Sequence, residues 1–204
     1  MTFGILLPAL LLAATPPPDA AALIARLKRP VPASTAYTEV RFVHQLTRPL
    51  ILRGELEYGG AGLLGKRVDV PYRESTTISG DSVAVTRADR APKHFDLERA
   101  PELKALMGGF SALLGGDAAA LSALYTLSLV DNADAWTLTL TPRDAALSAH
   151  LREFVIDGAG SEPRCFTLQQ ANGDASVMLL GPLAAAQLPQ APTTAALAAM
   201  CHAP

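Results

Sequence analysis

The chain has 204 residues, half of them apolar and 18% charged, with a formal net charge of -2. That length suits one ordinary domain after loss of a leader and is short for two. The charge balance gives no basic footprint for a nucleic acid and no polybasic handle for anionic lipid. Aromatics are only 5%, so the interior is expected to be mainly Leu, Ala and Val.

Ile5 to Ala14 is an apolar run followed by small residues. It falls short of the roughly 20 residues that span a bilayer as a helix, and residues 1–20 read as an export signal. Met1 to Gly4 contains no Lys or Arg, and cleavage after Ala14 or after Ala20 fits the small residues there. No Cys follows the run, which excludes a lipidated N-terminus. The competing reading is a buried N-terminal helix.

Asp19 to Arg29 is expected to be helical, with Asp19 as cap, Leu23, Ile24 and Leu27 as an apolar stripe, and Pro30 as the stop. Thr38 to Leu46 alternates as a strand does, with Val40, Phe42, His44 and Leu46 on one face and Glu39, Arg41, Val43 and Gln45 on the other. Leu50 to Tyr58 repeats the alternation, and Thr47-Arg-Pro49 would join the two runs as an antiparallel hairpin. Leu63–Val70, Glu74–Ser79, Ser82–Thr86 and a short Lys93–Leu97 read as further strands.

The period then changes. Leu103, Leu106, Met107, Phe110, Leu113 and Leu114 fall at helical spacing, with Gly108-Gly109 expected to interrupt the helix and Gly115-Gly116 to end it. Asp117 caps a second short helix through Leu124. Strands resume at Tyr125–Val130, Trp136–Thr141, Leu151–Ile156, Arg164–Gln169 and Ser176–Leu180, and Asn172-Gly-Asp174 joins the last two. The result is a mainly β (α+β) chain: a meander of about ten antiparallel strands with one helical insertion. A sheet that long tends to curl, giving an incomplete β-barrel with helices over its concave apolar face. Residues 184–204 form an Ala/Pro-rich tail. Two cysteines in an exported domain suggest a disulfide, Cys165 to Cys201, which would tether that tail; two free thiols are the alternative.

Phe42, Pro49-Leu50, Gly54-Glu-Leu56 and Tyr58 are followed by Leu63-Leu64, Pro71, Glu74 and Gly80-Asp81. Trp136-Thr-Leu-Thr-Leu-Thr-Pro-Arg143, Phe154-Val-Ile156, Leu168, Asn172-Gly-Asp174 and Val177 continue the series. In order and spacing these segments resemble the periplasmic outer-membrane lipoprotein carriers of the LolA family. The resemblance implies a half-barrel with a helical lid, in a carrier domain spanning 21–183. It departs where the family has an Arg-Pro pair tied to lid closure: Gly60-Ala61 stands there, with Lys66 and Arg67 out of register. The Trp that often follows the family's second strand is also missing. Divergent members of this kind occur in gene sets for aryl-polyene and other lipid-linked products, which implies a lipid or acyl cargo beyond general lipoproteins.

Such a carrier hides acyl chains, each buried methylene contributing about 0.8 kcal/mol. The candidate cavity residues are Phe42, Leu52, Leu56, Tyr58, Trp136, Leu138 and Leu140. Leu103, Leu106, Met107 and Phe110 would face them from a lid that bends at Gly108 and Gly109. Each of these positions also suits an ordinary core. No metal or cofactor is expected: the histidines at 44, 94, 150 and 202 form no close pair, and no GxSxG, phosphate-loop or dinucleotide motif occurs. The expected function is a periplasmic, monomeric, non-enzymatic carrier. It would take acylated lipoprotein or another lipid-linked cargo from an inner-membrane donor to an outer-membrane acceptor. A scaffold with a permanently occluded groove, and less so an acyl hydrolase or transferase, are the alternatives.

Overall fold

The computed structural model describes residues 19–132 and 135–203, so the export segment lies outside it except for its last two residues. The first helix, α1 (Ala20–Arg26), starts at Asp19, whose carboxylate accepts hydrogen bonds from the Ala21 and Ala22 amides. Six strands follow: β1 (Ala33–Phe42), β2 (Leu50–Gly60), β3 (Leu63–Val70), β4 (Glu74–Ser79), β5 (Ser82–Arg87) and β6 (Lys93–Asp96). Two helices, α2 (Pro101–Gly115) and α3 (Ala118–Leu124), lead into β7 (Tyr125–Asp131) and β8 (Trp136–Pro142). The short α4 (Ala145–Ser148) precedes β9 (Leu151–Ala159), β10 (Glu162–Gln170) and β11 (Ala175–Leu180), and α5 (Thr194–His202) closes the chain.

The eleven strands form one antiparallel sheet in the order β6-β5-β4-β3-β2-β1-β11-β10-β9-β8-β7. The two meanders meet where β1 pairs with β11, and the α2–α3 insertion carries the chain from one sheet edge to the other. It does so across one face. Side chains from β7 round to β3 pack in a single cluster with Leu23 and Ile24 of α1, Leu27 at its C-cap, Leu113 of α2 and Leu121 of α3. Strands at both ends of the sheet can reach the same helices only if the sheet curls around them. It is an open half-barrel whose inner face carries the main core.

A second cluster lies on the outer face. Val40, Cys165, Val177 and Leu179 are covered there by Leu197 and Cys201 of α5, with Phe42, Leu183, Leu188 and Met200 at its margin. Cys165 and Cys201 are joined at an S–S distance of 2.03 Å. The tail is therefore ordered structure with its own apolar interface. Its helix starts at Thr193, whose hydroxyl accepts from the Ala196 amide, and presents Leu197 and Cys201 one turn apart.

Three expectations are corrected. The first strand runs Ala33–Phe42, beginning and ending earlier than Thr38 to Leu46. Both of its faces are covered, so Tyr37, Thr38, Glu39 and Val40 are buried in succession and alternation no longer reports which side faces the core. Finally, α2 is unbroken from Pro101 to Gly115 and ends at Gly116, which has φ 73° and ψ 22°. Gly108-Gly109 does not interrupt it, and Gly109 packs closely on Tyr125 of β7. A Cβ there would sit 2.7 Å from Cε2 of Tyr125, whereas one at Gly108 would meet only Leu124 Cδ1 at 3.6 Å.

That contrast is testable. Helix propensity alone favours alanine over glycine by about 1 kcal/mol at either site. Gly108→Ala should therefore be neutral or stabilising. Gly109→Ala should lose about 1–3 kcal/mol through overpacking against Tyr125. Urea denaturation of the two variants checks this, and equal shifts would show that the close approach carries no energy.

Candidate functional site

The antiparallel register places the inner-face residues in rows that run across the strands. One row reads Leu50, Arg41, Ser176, Leu168, Phe154, Leu140 and Leu127, from β2 through β1 and β11 to β7. The next reads Leu52, Glu39, Met178, Phe166, Ile156, Leu138 and Leu129. From β11 to β7 the floor is apolar apart from Ser176. Leu52, Leu138, Leu140 and Ile156 are fully buried, while Leu50, Leu56, Leu127, Leu129, Leu168 and Met178 are only partly so.

α2 lies over this floor. Phe110 packs against Phe154 with ring centroids 4.7 Å apart and against Phe166 at 5.5 Å. Phe154 and Phe166 are themselves 5.5 Å apart, edge to face, so the three rings close one aromatic triad between lid and floor. Leu106 and Phe110 remain partly exposed. At the other end of the helix, Leu103 and Met107 pack with Ile78, Val83 and Leu97, a separate cluster over β4 and β5. The helix thus crosses the groove, gripping both halves of the sheet. Tyr125 is fully buried and its hydroxyl has no hydrogen-bond partner among the described residues. Burial pushes that hydroxyl up to about 12.

The residues singled out from sequence divide accordingly. Leu52, Leu56, Trp136, Leu138 and Leu140 belong to the inner cluster, as do Leu106 and Phe110 of the lid. Tyr58 is buried near Gly115 of α2, a Cβ on which would lie 3.6 Å from its hydroxyl. Trp136 is anchored by its indole N–H, which donates to the Gly160 carbonyl at 3.0 Å, and Gly158 leaves room for its ring. Phe42 is the correction: it sits on the outer face with Val40, in the cluster covered by the tail. Its apolar neighbours at alternate positions gave it the wrong side, because the face of β1 that turns inward is the one bearing Tyr37, Glu39 and Arg41.

Those polar residues, with Lys66, are the feature of the groove that sequence reading missed. Glu39 has a side chain only 4% exposed and accepts from Arg41 Nε at 2.8 Å and from Lys66 Nζ at 2.5 Å. The Ser176 hydroxyl donates to it at 2.7 Å. Burial alone would raise the Glu39 carboxyl, but the hydrogen bond from Arg41 and the charge of Lys66 override it and hold it at about 2. Burial in turn lowers Lys66 despite Glu39. Lys66 reaches Glu39 from β3 across β2, where Gly54 presents no side chain, and lies 5.0 Å above the ring of Tyr37. The signal available in sequence was Lys66, noticed as out of register with the family's Arg.

An open antiparallel half-barrel with helices laid along an apolar inner face defines a binding fold. Residues 13–204 match the family model described as outer membrane lipoprotein carrier protein LolA-like, and the chain belongs to that family. The family's members are binding or carrier proteins. Among solved structures, the chain is similar to a LolA superfamily protein from Nitrosomonas europaea, at 13% identity and a TM-score of 0.44 over 83% of this chain and 93% of that one. It is also similar to a DUF1329 family protein from Desulfovibrio piger ATCC 29098, at 11% identity and a TM-score of 0.43 over 87% and 95%. No curated protein matches the sequence.

Proposed function

We propose that the protein is a periplasmic carrier that holds the acyl chains of a lipoprotein or another lipid-linked cargo between α2 and the inner face of the sheet. In this role it would pass the cargo from an inner-membrane donor to an outer-membrane acceptor without chemical change. The observation that carries this reading is the partly exposed apolar seam between α2 and the floor: Leu106 and Phe110 above, Leu168, Met178 and Leu50 below. Such a seam is where an acyl chain can wedge, gaining its methylenes' burial while displacing contacts that are not fully closed. The disulfide is consistent with an oxidising compartment. Among the described residues no helix is long and apolar enough to cross a membrane.

Residues 1–20 are read as the leader and 21–183 as the carrier domain, with the tail strapped to its outer face. Cleavage after Ala14 keeps the Asp19 cap of α1, whereas cleavage after Ala20 removes it.

A second reading, a scaffold whose groove stays filled, is favoured by the complete burial of Leu52, Leu138 and Leu140. Acyl-probe binding separates the two. A carrier binds a fluorescent fatty-acyl probe with α2 shifting to admit it, and a scaffold does not bind it. Phe110→Asp puts a carboxylate into the aromatic triad and should weaken probe binding at least tenfold, by about 1.4 kcal/mol or more. Phe110 is only partly buried, so the fold should survive. Unchanged probe affinity in a folded variant would remove α2 from the site.

A further inference from the structure

Apolar cargo does not explain why the groove floor carries Glu39, Arg41 and Lys66. A buried ion pair adds little over well-packed apolar side chains, and the rest of these rows is almost wholly apolar. The cluster is also unbalanced: Arg41 and Lys66 bring two positive charges against the one negative charge of Glu39. Glu74 faces Arg87 across β4 and β5 on the same side of the sheet, and Arg87 in turn pairs with Asp89 at 2.7 Å, so the excess is local to Arg41 and Lys66 and is not one of the whole face.

The arrangement has a direction. Glu39 is closed off, with 4% of its side chain exposed, while 38% of the Arg41 side chain and 26% of that of Lys66 reach solvent. Glu39 is saturated by Arg41, Lys66 and Ser176. The guanidinium and the ammonium keep N–H donors that meet no other acceptor among the described residues. The buried Tyr37 hydroxyl likewise has no partner among them. From Arg41 the row passes Ser176 on β11 and then stays apolar across β10, β9, β8 and β7, five strand spacings of about 4.8 Å in all, or roughly 24 Å.

We propose that Arg41 and Lys66 form a receptor for the anionic head of the cargo, a carboxylate or a phosphate monoester at the end of an acyl chain. The chain itself lies along Leu168 and Met178 beneath Phe110. Glu39 is a positioning residue that holds both cations at the groove mouth. The inference rests on the carrier reading and narrows it to amphiphiles with a negative head.

The test compares three probes on the full chain by fluorescence titration: 11-(dansylamino)undecanoic acid, its methyl ester, and the acid with dodecyl phosphate or inorganic phosphate as competitor. The acid should bind at least tenfold tighter than the ester, and salt should weaken the acid alone. Lys66→Met and Arg41→Gln should each reduce the preference to near parity with ester affinity kept, and Lys66→Arg should restore it. Dodecyl phosphate should displace the acid far better than inorganic phosphate does. Equal binding of acid and ester overturns the head site and leaves the carrier reading standing, whereas binding of neither overturns both. Equal displacement by inorganic phosphate assigns the site to a free anion and also overturns the proposal. The wild-type comparison needs no variant, so a folding defect cannot mask the result.

Discussion

Replacing both Cys165 and Cys201 by serine is expected to cost up to about 4 kcal/mol of unfolding free energy. The bridge closes a loop of 36 residues, and loop-closure entropy for that span gives about 4 kcal/mol as a model-dependent upper figure. The geometry argues that much of it is realised. Cys165 and Cys201 are buried in the outer cluster with Val40, Val177, Leu179 and Leu197. Two hydroxyls there would lose the apolar contact that the sulfurs make. The cover over that cluster is otherwise thin: Leu197 is the only other fully buried side chain of α5. Outside the cluster, His202 lies 3.2 Å from Asp157, and the Thr38 hydroxyl donates to the Ala184 carbonyl at 2.6 Å. Urea denaturation with and without dithiothreitol measures the effect, and hydrogen exchange locates it. The amides of α5 should lose protection first, while β9 to β11 keep theirs. An unchanged denaturation midpoint on reduction would mean that α5 is docked by packing alone.

The second large effect falls on the groove floor. Glu39→Gln should destabilise the protein by about 2–3 kcal/mol at pH 7, because it leaves Arg41 and Lys66 without their counter-charge. The partial exposure of both cations, 38% and 26%, keeps the loss below that of a fully buried pair. The effect carries a pH signature. Glu39 is depressed from 4.5 to about 2 on folding. A group with a lowered folded value stabilises the native state above its unfolded pKa and loses that stabilisation as pH falls through the folded one. The gap between wild type and Glu39→Gln should thus be constant from pH 7 to about 5, and shrink from there toward pH 2. A gap that stays constant down to pH 2 would show that Glu39 acts through shape or hydrogen bonding and not through its charge.

These two sites mark the limits of what the sequence disclosed. Where a strand has one covered face and turn residues at both ends, the sequence was explicit. Leu63–Val70 and Glu74–Ser79 are bounded by Gly62, Pro71 and Gly80, and both strands run between those limits. Asp117 caps α3, its carboxylate accepting from the Ala120 amide at 2.9 Å. The open antiparallel sheet with helices on one face follows from the number of alternating runs and from the single change to helical period at Leu103.

Alternation fails where both faces are covered. On β1 the outer face is as buried as the inner one, since the tail packs on Val40. A period of two then says that faces differ but not which is inside, and a one-residue slip exchanges every side chain. Phe42 went to the inner face, and Glu39 with Arg41 to the face opposite it, for that reason. The tail was opaque for a different cause. Its helix is Ala-rich, TAALAAMCH, without a polar face to set a period. Only the disulfide and Leu197 show which side is down. The Lys66–Glu39 contact spans 27 residues and an intervening strand, a pairing that register supplies and local pattern does not.

A carrier of this kind holds an acyl chain in the seam between α2 and the inner face. Native mass spectrometry of the periplasmically expressed mature protein, with lipid extraction of the same sample, tests it most directly. The expected result is a bound acylated species that is lost or much reduced in Phe110→Asp. A protein that carries no lipid and also fails to bind an added fatty-acyl probe would contradict it and leave the filled-groove scaffold in its place.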